Sequence, residues 1–258
     1  MTYIKELFSL ENKVIIVTGA ARGLGKGIAE AVLRSGADVV MVDVAEEELK
    51  ATVVEFKNQN LKAHMYCCDL GDDDQLIEIP SYCIKKFGKI DALINNAGVG
   101  FAQDFFEYSL ENWDKTYNIN LRAPFLLSRE VARHMKRSRS GSIINVTSLN
   151  AELVFPNNPA YPAFKSGLKQ LGKSMALELG KYNIRVNNVG PGYMRTKLTE
   201  PSWSNPKIFE ERKNKTVLGR WGEPEDLAGI VIFLSSEASS YVTGQDFYVD
   251  GGWLIKGL

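Results

Sequence analysis

Residues 13–43 read KVIIVTGAARGLGKGIAEAVLRSGADVVMVD. The run opens with a short apolar stretch, KVIIVTG, which predicts a buried strand. A turn with glycines at 19, 23 and 25 follows, and LGKGIAEAVLRSG has the apolar spacing that predicts a helix ending at Gly36. DVVMVD at 38–43 predicts a second strand. Strand, helix and strand within thirty-one residues make one βαβ unit, so the two strands lie parallel in one sheet.

The same alternation continues outward. EEELKATVVEFKNQN predicts a helix, KAHMYCCDL a third strand, and a helix follows to about Phe87. IDALINNAG (90–98) predicts the fourth strand with its loop. Residues 111–137 predict a long helix bent near Pro124. GSIINVTS (141–148) predicts the fifth strand, with Ser148 at its end. AFKSGLKQLGKSMALELG (163–180) predicts a helix, and IRVNNVGPG (184–192) the sixth strand. A helix near 223–236 and a last strand in GQDFYVDGG complete the chain. The expected fold is therefore α/β, a Rossmann-type doubly wound, mostly parallel seven-stranded sheet with helices on both faces, in one domain spanning 1–258. Residues 193–222 lack clear periodicity and predict a substrate loop or lid.

The totals fit that fold. The chain has 258 residues, 45% of them hydrophobic, and a formal net charge of zero. With a pI near 6.8 there is no electrostatic case for nucleic acid or an anionic membrane as partner. MTYIKELFSLENK carries no continuous apolar core of the kind a signal peptide has, and no apolar run approaches the ~18 residues of a membrane span. A cytoplasmic location is expected. The three cysteines, Cys67, Cys68 and Cys83, read as small core residues in a reducing compartment, the first two in a buried strand. His64 and His134 stand far apart with no ligand pattern around them, so no metal is expected.

The glycine turn reads T-G-x-x-x-G-x-G, residues Thr18 to Gly25. Gly19, Arg22, Gly23, Leu24 and Gly25 lie where a strand passes into a helix. There the backbone can approach a pyrophosphate, and the helix N-terminus offers free N–H groups. A tight turn needing glycine at positive φ explains the same residues. Asp43 bears on the choice. It ends the second strand, where a carboxylate accepts hydrogen bonds from a ribose diol and repels a 2′-phosphate. No cation follows it in Val44, Ala45 and Glu46. NAD is the expected cofactor, with NADP as the alternative because Arg22 sits in the turn. Asp43 also suits a helix N-cap.

Tyr161 and Lys165 stand four apart in NPAYPAFK (158–165), on one face of a helix. A tyrosine serves as acid or base near neutrality only if its pKa falls, and a nearby ammonium favours the phenolate. Ser148, at the carboxyl edge of the sheet, can hydrogen-bond a substrate oxygen. Taken alone, Tyr161 and Lys165 are equally an ordinary surface pair.

With these motifs in order, the chain resembles the short-chain dehydrogenase/reductase family over almost its whole length. The resemblance rests on T-G-x-x-x-G-x-G at 18–25, Asp69, N-N-A-G at 95–98, Asn120, Ser148, Y-x-x-x-K at 161–165, P-G at 191–192 and Thr196. It implies an NAD(P)-dependent oxidoreductase acting on a small-molecule alcohol or ketone. Tyr161 would be the acid/base, Lys165 would lower its pKa and hold the nicotinamide ribose, and Ser148 would polarise the substrate. Asn120 would kink its helix so that a carbonyl holds a relay water. Asp69 and Leu70 would face the adenine. Asn96, Ala97 and Gly98 would line the cofactor cleft beside Pro191 and Gly192, and Met194 and Thr196 would meet the nicotinamide carboxamide. A turn role for Asn96 and a cap role for Thr196 stand beside these.

Pro162 departs from the family, which commonly has a small residue there. It biases Tyr161 away from helical geometry but is tolerable in a first turn. GRWGEPEDLAG (219–229) and YVDGGWL (248–254) look most like the sugar-acid and polyol branch, the gluconate and deoxygluconate dehydrogenases. Asn150, Glu152, Asn157 and Tyr193 are candidate substrate contacts, or solvated loop residues. A 3-oxoacyl thioester is the alternative substrate, and an inactive nucleotide-binding scaffold the alternative class. Such scaffolds usually lose the tyrosine or lysine, and both are present here. The resemblance also implies a homotetramer, one interface from the long helix and the Tyr161 helix, another from the last strand and the tail Trp253–Leu258.

Overall fold

A computed structural model describes residues 2–256. Seven strands form one sheet in the order β3-β2-β1-β4-β5-β6-β7. They are β1 (Val14–Thr18), β2 (Asp38–Asp43), β3 (Ala63–Cys67), β4 (Ala92–Asn95), β5 (Gly141–Val146), β6 (Ile184–Pro191) and β7 (Asp246–Val249). Every pairing is parallel, so the sheet is parallel throughout rather than mostly. The order reverses between β1 and β4. Doubly wound sheets bind ligands at this switch point, beyond the carboxyl ends of the strands.

The helices are α1 (Tyr3–Phe8), α2 (Gly23–Arg34), α3 (Glu46–Asn58), α4 (Asp73–Phe87), α5 (Leu110–Tyr117), α6 (Ala123–Ser138), α7 (Ala160–Leu179), α8 (Glu200–Trp203), α9 (Pro206–Lys215), α10 (Ala228–Ser235) and α11 (Trp253–Lys256). Alternate residues of each strand serve opposite faces. Ile15 and Val17 pack with Ile28, Leu49, Phe56 and Val231 of α2, α3 and α10. Ile16 and Val40 pack with Leu76, Ile79, Leu127 and Val131 of α4 and α6. This two-sided burial is why the strands read as continuous apolar runs.

Several expected boundaries shift. The helix predicted over 111–137 is α5 and α6 joined by a π turn at Asn118–Arg122. In an α pattern residue 124 would donate to the Asn120 carbonyl. Pro124 has no N–H, so the chain widens at Asn120 instead of bending at the proline. The 193–222 segment is not irregular throughout, because it holds a turn at Lys197–Thr199 followed by α8 and α9. The helix predicted near 223–236 begins as a tighter turn, Pro224–Leu227, before α10. Ser148 and Asp69 each lie two residues past their strands, in the loops that leave the carboxyl edge. Cys67 is exposed; of the adjacent pair only Cys68 is buried, and it lies outside β3.

Pro162 does not delay its helix. Pro159 takes the N-cap position with φ −69° and α7 starts at Ala160. Pro162 is the third helical residue, where no intrahelical donor is required, so its missing N–H costs nothing. Tyr161 is helical despite the bias imposed by the following proline.

Candidate active site

The glycine turn and the loop after β4 are locked together. The Asn96 side-chain amide donates to the Thr18 carbonyl at 2.8 Å and the Gly19 carbonyl at 3.2 Å. The Thr18 hydroxyl accepts from the Asn96 and Ala97 amides at 3.0 and 3.1 Å. Asn96 is thus a brace between two loops rather than a turn former. Thr18 shares the work, a role that sequence reasoning missed.

The glycines are required by space. A Cβ on Gly19, at φ +64°, would stand 2.9 Å from the Ala97 Cα. One on Gly25 would stand 1.9 Å from the Gly19 carbonyl oxygen. Leu24 turns its side chain into the core, and no side chain caps α2. The first N–H groups of that helix are therefore left for a ligand. An open cradle, an uncapped helix and a carboxylate ending β2 fit a dinucleotide.

Asp43 is not a helix N-cap; Ala45 holds that position. Its two carboxylate oxygens accept from Ala21 N and Ala45 N, each at 3.0 Å, which ties the glycine turn to β2. Each oxygen keeps a lone pair for a further donor. Arg22 is hydrogen-bonded to Glu48, which also has Lys197 at 3.7 Å. The Arg22 hydrogen bond holds the Glu48 carboxyl below its usual range. Glu48 was not foreseen from sequence. Asp69 folds back to accept from Gly71 N at 2.8 Å, and Leu70 lines a crevice with Thr18, Ala97 and Ile119.

Tyr161, Lys165, Ser148 and Asn120 converge beside Gly98 and Gly100. Lys165 is 2% exposed, and its Nζ donates to the Val146 carbonyl at 2.7 Å. The same nitrogen lies 5.7 Å from the centroid of the Tyr161 ring. Burial pushes the Lys165 ammonium down to about 8. Burial also pushes the Tyr161 phenol up, against the Ser148 hydroxyl, which favours the phenolate by a hydrogen bond. The expected lowering of Tyr161 is therefore not present in the protein alone: desolvation disfavours both charged forms. Asn120 is buried, accepting from Val99 N and donating to the Val99 carbonyl, both at 2.8 Å. A Cβ on Gly98 would lie 3.4 Å from both Asn120 Oδ1 and Lys165 Nζ, and one on Gly100 3.2 Å from the Tyr161 ring.

The substrate side is closed by later segments. Ser148 exchanges hydrogen bonds with Asn150, accepting from its amide at 3.1 Å. Glu152 is not a free loop carboxylate, because Lys169 and Tyr248 both donate to it. Asn157 takes φ +60°, and its carbonyl accepts from Gln103 N at 2.8 Å. Gly192 follows Pro191 at the end of β6, where a Cβ would lie 2.7 Å from the Asp250 Cα. Thr196 is the N-cap of the next turn, and its side chain lies 3.6 Å from where a Gly23 Cβ would be. Met194 is different: its side chain is buried in the core against Gly222, leaving only its backbone for a cofactor. The Tyr193 ring stacks on Trp253 at 4.8 Å, and burial pushes its phenol up to about 12. Among the described residues no cluster of His, Cys, Asp and Glu suits a metal, and no helix is long and apolar enough to cross a membrane.

The family model described as enoyl-(acyl carrier protein) reductase matches residues 19–254. The chain belongs to the short-chain dehydrogenase/reductase family. This short-chain dehydrogenase/reductase is 38% identical to the gluconate 5-dehydrogenase of Gluconobacter oxydans over 251 residues, covering 97% of this chain and 98% of that one. It is 38% identical to the 3-oxoacyl-[acyl-carrier-protein] reductase of Thermotoga maritima over 246 residues, covering 95% and 99%. The crystal structure of a gluconate 5-dehydrogenase from Burkholderia cenocepacia, in complex with NADP and tartrate, superposes with a TM-score of 0.94 at 30% identity, covering 98% and 99%. The enzyme is an oxidoreductase that uses a nicotinamide cofactor and interconverts an alcohol and a carbonyl on a small molecule.

Proposed function

We propose that the enzyme oxidises a secondary alcohol of a sugar acid or polyol, or reduces the matching ketone, with NAD as its preferred cofactor. The observation that carries this reading is the convergence of Tyr161, Ser148, Asn120 and buried Lys165 beside the glycine cradle. Gly19, Gly23, Leu24 and Gly25 hold the pyrophosphate, with Arg22 at its edge. Asp43 takes the adenosine ribose. Asp69 and Leu70 face the adenine, and Asn96, Ala97 and Gly98 border the cleft. Pro191, Gly192, the Met194 backbone and Thr196 hold the nicotinamide end. When bound, the cofactor supplies the hydride acceptor for the carbinol carbon.

The rest is done by the chain. Ser148 donates to the substrate oxygen and orients it. Tyr161 takes the hydroxyl proton as the C–O bond becomes C=O, and returns it in reduction. Lys165 lies near enough for its ammonium to favour the phenolate, and it reaches the nicotinamide ribose hydroxyls. Asn120 fixes the widened turn whose carbonyl has no donor in residue 124 and can hold a relay water.

The preference for NAD rests on two carboxylates. Asp43 opposes a 2′-phosphate, and Glu48 occupies Arg22, the one cation of the glycine turn. The Burkholderia relative was solved with NADP, so this is a claim about this chain's own residues. That relative's tartrate is a hydroxy acid, which supports the sugar-acid class, as does the Gluconobacter relative's name. A 3-oxoacyl thioester is the second reading, favoured by the exposed Phe105, Phe106 and Val154. Residues 193–222 serve as the substrate loop of a single catalytic domain. A homotetramer is supported by an apolar groove of about 300 Å³ between α6 and α7, lined by Phe125, Ala132, Leu171, Met175 and Leu179. A cytoplasmic location is supported by the free thiols.

The test is a screen with NAD and NADP against sugar acids, polyols and 3-oxoacyl thioesters, followed at the nicotinamide absorbance band. Turnover of sugar acids with NAD is expected. Turnover of thioesters alone would replace this reading with the second one.

A further inference from the structure

Arg212 is held in an aromatic box. Its guanidinium lies 4.3 Å from the Tyr193 ring centroid, 4.9 Å from Phe155 and 5.8 Å from Trp253. These rings come from three segments: the loop after Ser148, the residue after Gly192, and α11. The helix that carries Arg212 is fixed. One turn earlier, the Phe209 carbonyl accepts from Trp221 Nε1 at 3.0 Å, and the two rings stack at 5.7 Å.

Arg212 has no anionic partner among the described residues. Its neighbours do: Lys213 pairs with Glu210, and Arg220 with Asp226. Arg212 Nε is buried with no hydrogen-bond partner at all. A buried donor left unmade costs stability, and a guanidinium more than a neutral group. Cation–π contact with three rings orients the planar fork and offsets part of that cost, but rings accept no in-plane hydrogen bond. The in-plane donors of the fork match a carboxylate, which two parallel N–H groups can grip.

The box adjoins the reacting centre. Phe155 belongs to the segment that starts at Ser148. Tyr193 follows the Pro191–Gly192 pair at the end of β6, and its ring meets Phe155 edge-on at 5.7 Å. We propose that Arg212 is the substrate-carboxylate anchor: it holds the acid end of a hydroxy acid while the carbinol lies between Ser148 and Tyr161. This rests on the sugar-acid reading above and adds the residue that would distinguish an acid from a neutral polyol.

The test compares D-gluconate with D-gluconamide, which has the same skeleton without the charge. Calorimetry on protein saturated with NADH measures binding without turnover. The unmodified enzyme should bind gluconate at least about thirtyfold more tightly than the amide. Arg212→Gln should weaken gluconate about a hundredfold, the scale of a charge-assisted bond lost at a desolvated site, and the amide by less than about threefold. Arg212→Lys keeps the charge without the fork and should lose about tenfold, for the acid only. Thermal melts and NADH affinity check that each variant folds, and if Arg212→Gln does not, the Lys variant carries the test. No acid preference in the unmodified enzyme, or equal loss for acid and amide, would overturn the anchor. The substrate reading fails separately: if gluconate binds selectively through Arg212 but no sugar acid is turned over, that reading falls and the anchor stands.

Discussion

Lys165 Nζ lies 5.7 Å from the Tyr161 ring centroid yet spends its shortest hydrogen bond, 2.7 Å, on the Val146 carbonyl. The ammonium is thus fixed to the end of β5, next to the loop that carries Ser148. One backbone oxygen sets the distance between cation and phenol. Both groups are desolvated, which pushes each towards its neutral form, yet Lys165, held at about 8, still carries its charge near neutrality.

Tyr161→Phe keeps the ring and removes the proton carrier. Turnover should fall by about a thousandfold or more, within the range of lost general acid–base catalysis. The melting temperature and cofactor affinity should change little, since the ring and its packing are kept. Steady-state rates beside a cofactor titration check both halves, and retention of a tenth of the activity would remove Tyr161 from the role.

Lys165→Met should stabilise the protein near neutrality while destroying activity. Burial holds the folded ammonium at about 8 against 10.5 for the free group. Between those values the unfolded chain binds more protons, so stability rises with pH across that window, and below about 8 the whole cost is present. That cost is about 3 kcal/mol, from which roughly 1 kcal/mol is subtracted for the lost bond to Val146. Urea denaturation should show the variant ahead by about 2 kcal/mol at pH 7 and the gap shrinking by pH 10. A constant gap would mean that the lysine is not desolvated in solution.

Asp43→Ala should lower the ratio of kcat/KM for NAD over NADP by at least about tenfold, through loss of a charge-assisted ribose bond and of the repulsion. Glu48→Gln tests the second carboxylate. It frees Arg22 for a 2′-phosphate and should improve NADP while leaving NAD nearly unchanged. A parent enzyme that already favours NADPH would contradict the assignment of both residues.

Light scattering should give about four times the 28.7 kDa chain mass. Met175→Arg places a charge in the groove between α6 and α7 and should halve the assembly. At the C-terminus, deleting residues 253–258 would not isolate the tail's part in assembly. Trp253 is 1% exposed and stacks on Tyr193 of its own subunit, so its loss would damage the site. Ile255, 87% exposed, is the residue left for a second interface; residues 257 and 258 lie outside the described ones. Ile255→Asp should yield dimers that retain the Met175 contact. A monomeric parent at micromolar concentration would refute the tetramer.

The sequence by itself determined the βαβ order, the glycine turn, Asp43 at the end of β2, and the helical stacking of Tyr161 with Lys165. All of these are written in local spacing, where two-residue and four-residue periods fix which side chains share a face. It also marked Pro162 as tolerable, since a first turn has no donors to lose. Only the tertiary structure decided what these residues touch. Asn120, in the π turn, is tied through its side chain to Val99, twenty-one residues away in the chain. Glu152 accepts from Tyr248, ninety-six residues on. Arg22 meets Glu48, and Arg212 gathers Phe155, Tyr193 and Trp253, without any spacing that announces either grouping. A parallel sheet brings such partners together through crossovers of many residues, so the pairing is set by packing in space and leaves no period in the sequence.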